Sequence, residues 1–177
     1  MKSLHEIISE KLKIKKSSYK YFPKTKEELK DLLKQLIEER GNDGDFNDID
    51  VSNITDMSEL FDFAGIAKFN GDISGWDVSN VTSMERMFYW CKSFNCDISN
   101  WDVSNVVNMQ FMFYECKSFN QDISEWDVSN IINMSWMFYY CKSFNQNISN
   151  WNVSKVEYNI KMFYNCPIEE KYKPKFN

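Results

Sequence analysis

The sequence contains few of the residues on which enzyme active sites depend. Its 177 residues include one histidine, His5, and five glycines, so it offers little for general-base catalysis and has no glycine-rich phosphate loop. No pair of carboxylates stands apart from the repeated sequence described below. These absences predict a protein that is not an enzyme and that holds no cofactor.

The cysteines lack the paired CxxC spacing that zinc sites use. Four of the five recur at one position of a repeat, where packed helices would lie too far apart for disulfide bridges. We therefore expect free thiols and no bound metal.

No segment has the uninterrupted apolar run of a secretory signal or of a membrane-spanning helix. This predicts no membrane insertion and a cytoplasmic location, or a surface or secreted location if a leader was removed. The net charge of −5 divides into +4 over residues 1–40 and −9 over residues 41–177. Because acidic surfaces repel phosphate backbones, we expect no nucleic acid partner and instead a neutral or basic protein.

A repeat of 25 residues dominates the sequence that is present. A fixed period of roughly 20 to 50 residues is typical of chains whose units bury their apolar faces against their neighbours. The recurring positions include Trp76, Trp101, Trp126 and Trp151, then Phe69, Phe94, Phe119 and Phe144, and also Cys91, Cys116, Cys141 and Cys166.

Each repeat contains two different apolar spacings. Around xWDVS the apolar residues alternate, as Trp101 and Val103 do, and this predicts a short strand. Met84, Met87 and Cys91 belong to a spacing of three, four and seven residues, which predicts a helix. The sequence thus predicts an α/β, leucine-rich-repeat-like solenoid of about five strand-plus-helix coils with a parallel sheet.

Three regions follow from these patterns. Residues 1–46 are predicted to form an N-terminal helical cap, with helices at residues 3–14 and 25–40. Residues 47–166 form the repeat solenoid, and residues 167–177 form a C-terminal tail or cap.

The repeat also resembles a known family. The unit FNxDISxWDVSNVxxMxxMFxxC, in register over about residues 47–166, resembles the repeat of BspA-like leucine-rich-repeat surface proteins, also seen in mycoplasma lipoproteins and listerial surface proteins. Members of that family are mostly secreted or wall-anchored adhesion and binding proteins. The resemblance therefore implies a binding function.

Positions that differ between repeats are free of the demands of the fold and are candidates for protein binding. On the predicted helix they point outwards or to its flank, and aromatic side chains there are typical of binding hot spots. The alternative is that they pack against neighbouring helices. One variable column contains Arg86, Phe111, Trp136 and Lys161, and the next contains Trp90, Glu115, Tyr140 and Asn165.

Acidic residues form an alternative binding face. Their carboxylates are expected to accept hydrogen bonds from turn amides, although a calcium ladder or an acidic stripe for a basic protein would use the same residues. The main column contains Asp50, Asp77, Asp102 and Asp127, and a second contains Asp72, Asp97 and Asp122.

The sequence therefore predicts a non-catalytic protein-interaction module. One alternative is a cytoplasmic inhibitor or immunity-type protein that blocks an enzyme, with an acidic face that imitates a nucleic acid. A further alternative is a surface adhesin.

Overall fold

The computed structural model describes residues 18–63 and 65–176. The predicted helix at residues 3–14 and His5 lie outside the described residues. Within them there is one α-helix, α1 (Lys26–Arg40), and two short 3-10 helices, Ile66–Lys68 and Glu170–Tyr172. The remaining described residues form turns, bends and isolated β-bridges.

Helix α1 begins and ends where its capping residues predict. The Thr25 hydroxyl accepts a hydrogen bond from the Glu28 amide at 3.2 Å, and the Glu28 carboxylate accepts one from the Lys24 amide at 2.7 Å. Gly41 ends the helix with a φ of 80°, and its amide bonds to the carbonyl of Ile37. The predicted helix at residues 25–40 is therefore confirmed to within one residue.

The buried side of α1 lies against the start of the repeats. Leu29, Leu33 and Leu36 are fully buried in the common core. Lys26 donates to Asp56 and Ser58 of the first repeat at 2.7 and 2.8 Å. These contacts attach the helix to the first repeat, while the domain boundaries and the capping role stay a prediction.

Successive repeats stack, and backbone hydrogen bonds join them. The Met84 amide bonds to the Asn108 carbonyl at 2.9 Å, and the Met109 amide bonds to the Asn133 carbonyl at the same distance. Single-residue parallel bridges run through one column of the stack. They link Asp56, Ser83, Asn108, Asn133 and Tyr158 in turn.

The predicted α/β solenoid is wrong, and the prediction of a leucine-rich-repeat-like fold is therefore wrong as well. The described residues contain no strand longer than a single bridge, no sheet and no α-helix within a repeat. The predicted strand at xWDVS instead lies between two tight turns, which are closed by bonds from the Trp101 amide to the Ile98 carbonyl and from the Val106 amide to the Val103 carbonyl. The bridge column lies where the predicted helices begin, at Ser83 and its equivalents.

Repeat-invariant side chains form the core. The four repeat tryptophans are each 4% exposed, and the Trp126 indole N–H donates to the Ile98 carbonyl at 3.1 Å. The Phe88 and Phe94 rings stack with centroids 3.9 Å apart. The prediction that Trp101 is a core residue is confirmed. The five cysteines are free, as predicted, and the Cys141 thiol donates to the Phe113 carbonyl at 2.8 Å.

None of the helices in the described part of the chain is both long and apolar enough to span a membrane.

Candidate protein-binding surface

The variable columns occupy a special backbone position. The segment from Met84 to Cys91 is a series of overlapping turns, closed by bonds from the amides of Met87, Tyr89 and Cys91 to the carbonyls three residues earlier. The third residue of the first and of the last of these turns has a positive φ, as a type II turn requires. These residues are the two variable positions, and their φ values are 53° at Arg86 and 64° at Trp90.

The same geometry recurs in the later repeats, and it places bulky residues where glycine fits best. Positive φ values occur at Phe111, Glu115, Trp136, Tyr140, Lys161 and Asn165, all between 51° and 61°. A left-handed backbone costs a non-glycine residue roughly 1–2 kcal/mol. The variable columns were predicted to lie on a helix, and that part of the prediction is wrong because a helix needs negative φ throughout.

A ladder of tyrosine rings runs between the two variable columns. Tyr89 and Tyr114 have ring centroids 4.9 Å apart, Tyr114 and Tyr139 are 4.7 Å apart, and Tyr139 and Tyr164 are 5.0 Å apart. The last ring is the most open, since Tyr164 is 47% exposed.

The first variable column forms a second stack beside the ladder. The rings of Phe111 and Trp136 are parallel to within 6°, with centroids 4.9 Å apart. The Arg86 guanidinium lies 5.0 Å from the Phe111 ring and 5.5 Å from the Tyr89 ring. Arg86 also forms an ion pair with Glu59 at 3.5 Å, and its buried Nε has no hydrogen-bond partner.

Lysines accompany the second variable column. Lys92 lies 4.5 Å from the Trp90 ring, and Lys142 lies 4.7 Å from the Tyr140 ring. In the repeat between them, Lys117 pairs with Glu115 at 3.3 Å. The first three residues of this column, Trp90, Glu115 and Tyr140, are therefore each in contact with the lysine two residues later.

We call the combined surface the aromatic face. It brings together the predicted residues of both columns with the tyrosine ladder, since Tyr139 lies 4.8 Å from Tyr140. The ladder tyrosines and the lysines at positions 92, 117 and 142 are missing from the predicted site because they are identical in successive repeats. The aromatic face contains Arg86, Tyr89, Trp90, Lys92, Phe111, Tyr114, Glu115, Lys117, Trp136, Tyr139, Tyr140, Lys142, Lys161 and Tyr164.

The acidic columns are engaged in local turns, as expected from the sequence. The Asp102 carboxylate accepts bonds from the amide and hydroxyl of Ser104 at 3.1 and 2.6 Å. Asp50 and Asp77 bind Ser52 and Ser79 in the same way, and Asp127 accepts the Ser129 amide at 3.0 Å. In the second column, the amide and hydroxyl of Ser74 lower the pKa of Asp72.

Across residues 18–63 and 65–176, no three His, Cys, Asp or Glu side chains converge in a way that could hold a metal ion. The buried thiols have raised pKa values because burial disfavours the thiolate, which is the form that binds metals and acts as a nucleophile.

Comparison with known proteins gives one match. A family model described as "Mycoplasma protein of unknown function, DUF285" matches residues 28–138 and 97–170, which together include most of α1 and all of the repeats. No curated protein and no solved structure matches the chain.

Proposed function

The chain belongs to the DUF285 family of mycoplasma proteins, and we propose that it is a non-catalytic protein-binding module whose partner contacts the aromatic face. The observation that carries the proposal is the placement of Phe111, Trp136 and Tyr140 at left-handed backbone positions. Turns of this kind are best built with glycine or asparagine, so the fold has no need of aromatic residues there.

The free-energy cost of a left-handed backbone at these residues supports a binding role for their side chains. Strained residues persist where the surrounding structure holds them, and they cluster at binding and active sites. Tryptophan, tyrosine and arginine are also the residues most enriched in binding hot spots. The aromatic face combines these side chains with lysines, so it suits a partner surface that offers apolar groups and carboxylates.

The family resemblance supports the same class of function. Members of the BspA-like group, whose repeat this chain resembles, are mostly adhesion and binding proteins. Binding to a protein on a cell surface or to a host protein is therefore compatible with the proposal. The capture experiment described next tests this case as well.

Capture followed by direct affinity measurement tests the proposal. The immobilised chain is used to isolate proteins from an extract of the native cells and, separately, of host cells, and each candidate is titrated by calorimetry. Trp136→Asn removes the stacked ring but keeps a residue that tolerates a positive φ. We expect this variant to weaken binding at least tenfold, since truncated hot-spot residues often cost about 2 kcal/mol or more.

Val107→Asn is the matched control, because Val107 is an exposed apolar residue at 42% that makes no ring contact with the aromatic face. Equal losses for both variants would contradict the proposal. Binding that survives Trp136→Asn but is lost in Asp102→Asn with Asp127→Asn would instead favour an inhibitor that uses the acidic face. The salt dependence of binding differs in degree as well, because screening weakens a contact made mainly by carboxylates more than one made mainly by aromatic rings.

A further inference from the structure

The last repeat leaves a row of backbone donors without acceptors. In the preceding repeat, the amides of Met134, Trp136, Phe138 and Tyr140 donate to carbonyls of the last repeat at 2.7 to 2.9 Å. The equivalent amides of the last repeat are those of Asn159, Lys161, Phe163 and Asn165. Within the described residues these four amides make no hydrogen bond. We call residues 158–165 the C-terminal edge.

The same edge exposes large apolar side chains. Tyr158 is 52% exposed, Ile160 55% and Tyr164 47%, and they are three of the seven exposed large hydrophobic residues of the described chain. Tyr158 stands where Asn133 stands one repeat earlier, and the Asn133 side chain accepts the Ser135 amide at 2.9 Å. Tyr158 offers no such acceptor, so the Ile160 amide also makes no hydrogen bond within residues 18–63 and 65–176.

Residues 168–172 cover the rest of the last repeat, around Asn145 and Ile148. The Ile148 amide bonds to the Tyr172 carbonyl at 3.0 Å, and the Glu169 amide bonds to the Asn145 side chain at 2.9 Å. Ile168 is buried at 5% exposure. Residues 168–172 thus take the place of a further repeat over one part of the end and leave residues 158–165 open.

A second copy of the chain does not fit this edge. In the segments equivalent to residues 159–165, the amides that link neighbouring repeats donate towards the next repeat, as the Met57 amide does to Ser83, so two C-terminal edges facing each other would offer donors only. Head-to-tail stacking would need the carbonyl side of the first repeat. There α1 is in place, and Lys30 donates to the Glu59 carbonyl at 2.8 Å.

We propose that the C-terminal edge binds a peptide segment of another protein that adopts the turn conformation of a further repeat, and whose alternate carbonyls accept the amides of Asn159, Lys161, Phe163 and Asn165. Addition of a segment to an open backbone edge is an established mode of peptide recognition, in which the main chain supplies affinity and side chains supply specificity. Ile160 and Tyr158 select apolar side chains. Lys161 has no ion-pair partner among the described residues, so it selects an acidic one.

A peptide copied from the chain itself provides the probe. Residues 106–115, VVNMQFMFYE, carry the carbonyls of Asn108, Gln110, Met112 and Tyr114, which accept the same set of amides from the repeat before them. The full chain is studied by NMR-detected hydrogen exchange with this peptide and with a scrambled version. We expect the copied peptide, and not the scrambled one, to slow exchange of the four edge amides at least tenfold.

Substitution tests the location of the peptide. Ile160→Asp removes an apolar contact and adds a charge that repels the glutamate of the probe, so we expect at least tenfold weaker binding. Ile132→Asp is the matched control, since Ile132 is 41% exposed but its amide already bonds to Val107. It should bind the probe as the original chain does.

Three results would overturn the proposal. They are failure of the probe to bind, binding that leaves the four amides unprotected, and equal weakening by both substitutions. Protection that grows with protein concentration in the absence of peptide would also overturn it, because a second copy would then occupy the edge. The two surfaces share Lys161 and Tyr164, but Ile160 lies outside the aromatic face and Trp136 lies outside the C-terminal edge, so the substitutions test the two proposals separately.

Discussion

A comparison of glycine with alanine at Lys161 tests the turn-built repeat directly. Lys161 is exposed and has a φ of 51°. Comparing Lys161→Gly with Lys161→Ala cancels the loss of the lysine side chain and leaves only the backbone effect. A left-handed conformation costs alanine roughly 1–2 kcal/mol, and the greater freedom of unfolded glycine offsets about 0.5–1 kcal/mol of that. The glycine variant should therefore be more stable by roughly 0.5–1 kcal/mol.

A helical repeat would give the opposite sign. In a helix interior, glycine is less stable than alanine by about 0.8–1.0 kcal/mol. The assay is urea denaturation followed by tryptophan fluorescence, with Ile160 as the control position because its φ is not positive. At Ile160 alanine should be the more stable residue. Glycine less stable than alanine at both positions would refute the turn geometry.

Three other predictions concern the core, the pH dependence and metal ions. Trp101→Ala should lower the free energy of unfolding by roughly 3–5 kcal/mol, since it leaves a cavity; a loss below about 1 kcal/mol in denaturant titrations would contradict the core assignment. The Arg40 guanidinium lowers the pKa of Asp48, which lies 2.8 Å away, so the stability from this pair is present above the unfolded pKa and lost as the pH falls below about 4. The difference in melting temperature between the original chain and Asp48→Asn should therefore shrink on acidification, and a constant difference would argue against the pair. Chelation of divalent cations should leave the melting temperature unchanged, since the Asp102 carboxylate already binds Ser104; a clear drop would indicate a metal site.

The candidate site was only partly predictable from the sequence. Variation between repeats identified Phe111 and Trp136, because a position that changes its chemistry in register is not required by the fold. The same reasoning did not identify Tyr114 and Lys142, because their residue types are identical in neighbouring repeats. Both residues nevertheless lie on the aromatic face. Identity between repeats indicates a shared position in the stack, and stacked ladders occur in this chain both at the surface, as with the tyrosines, and in the core, as with the phenylalanines.

By itself, the sequence determined the register of the repeats and the residues that are buried. Trp101 and Phe119 recur with a fixed period, and large apolar side chains in every repeat must be removed from water together. Only the tertiary structure decided the path of the backbone between them. The apolar spacing of Met84, Met87 and Cys91 suits a helix and a series of turns equally well. The choice depends on bonds between residues 24 apart, such as the one from the Arg86 amide to the Gln110 carbonyl, which exist only once neighbouring repeats are stacked.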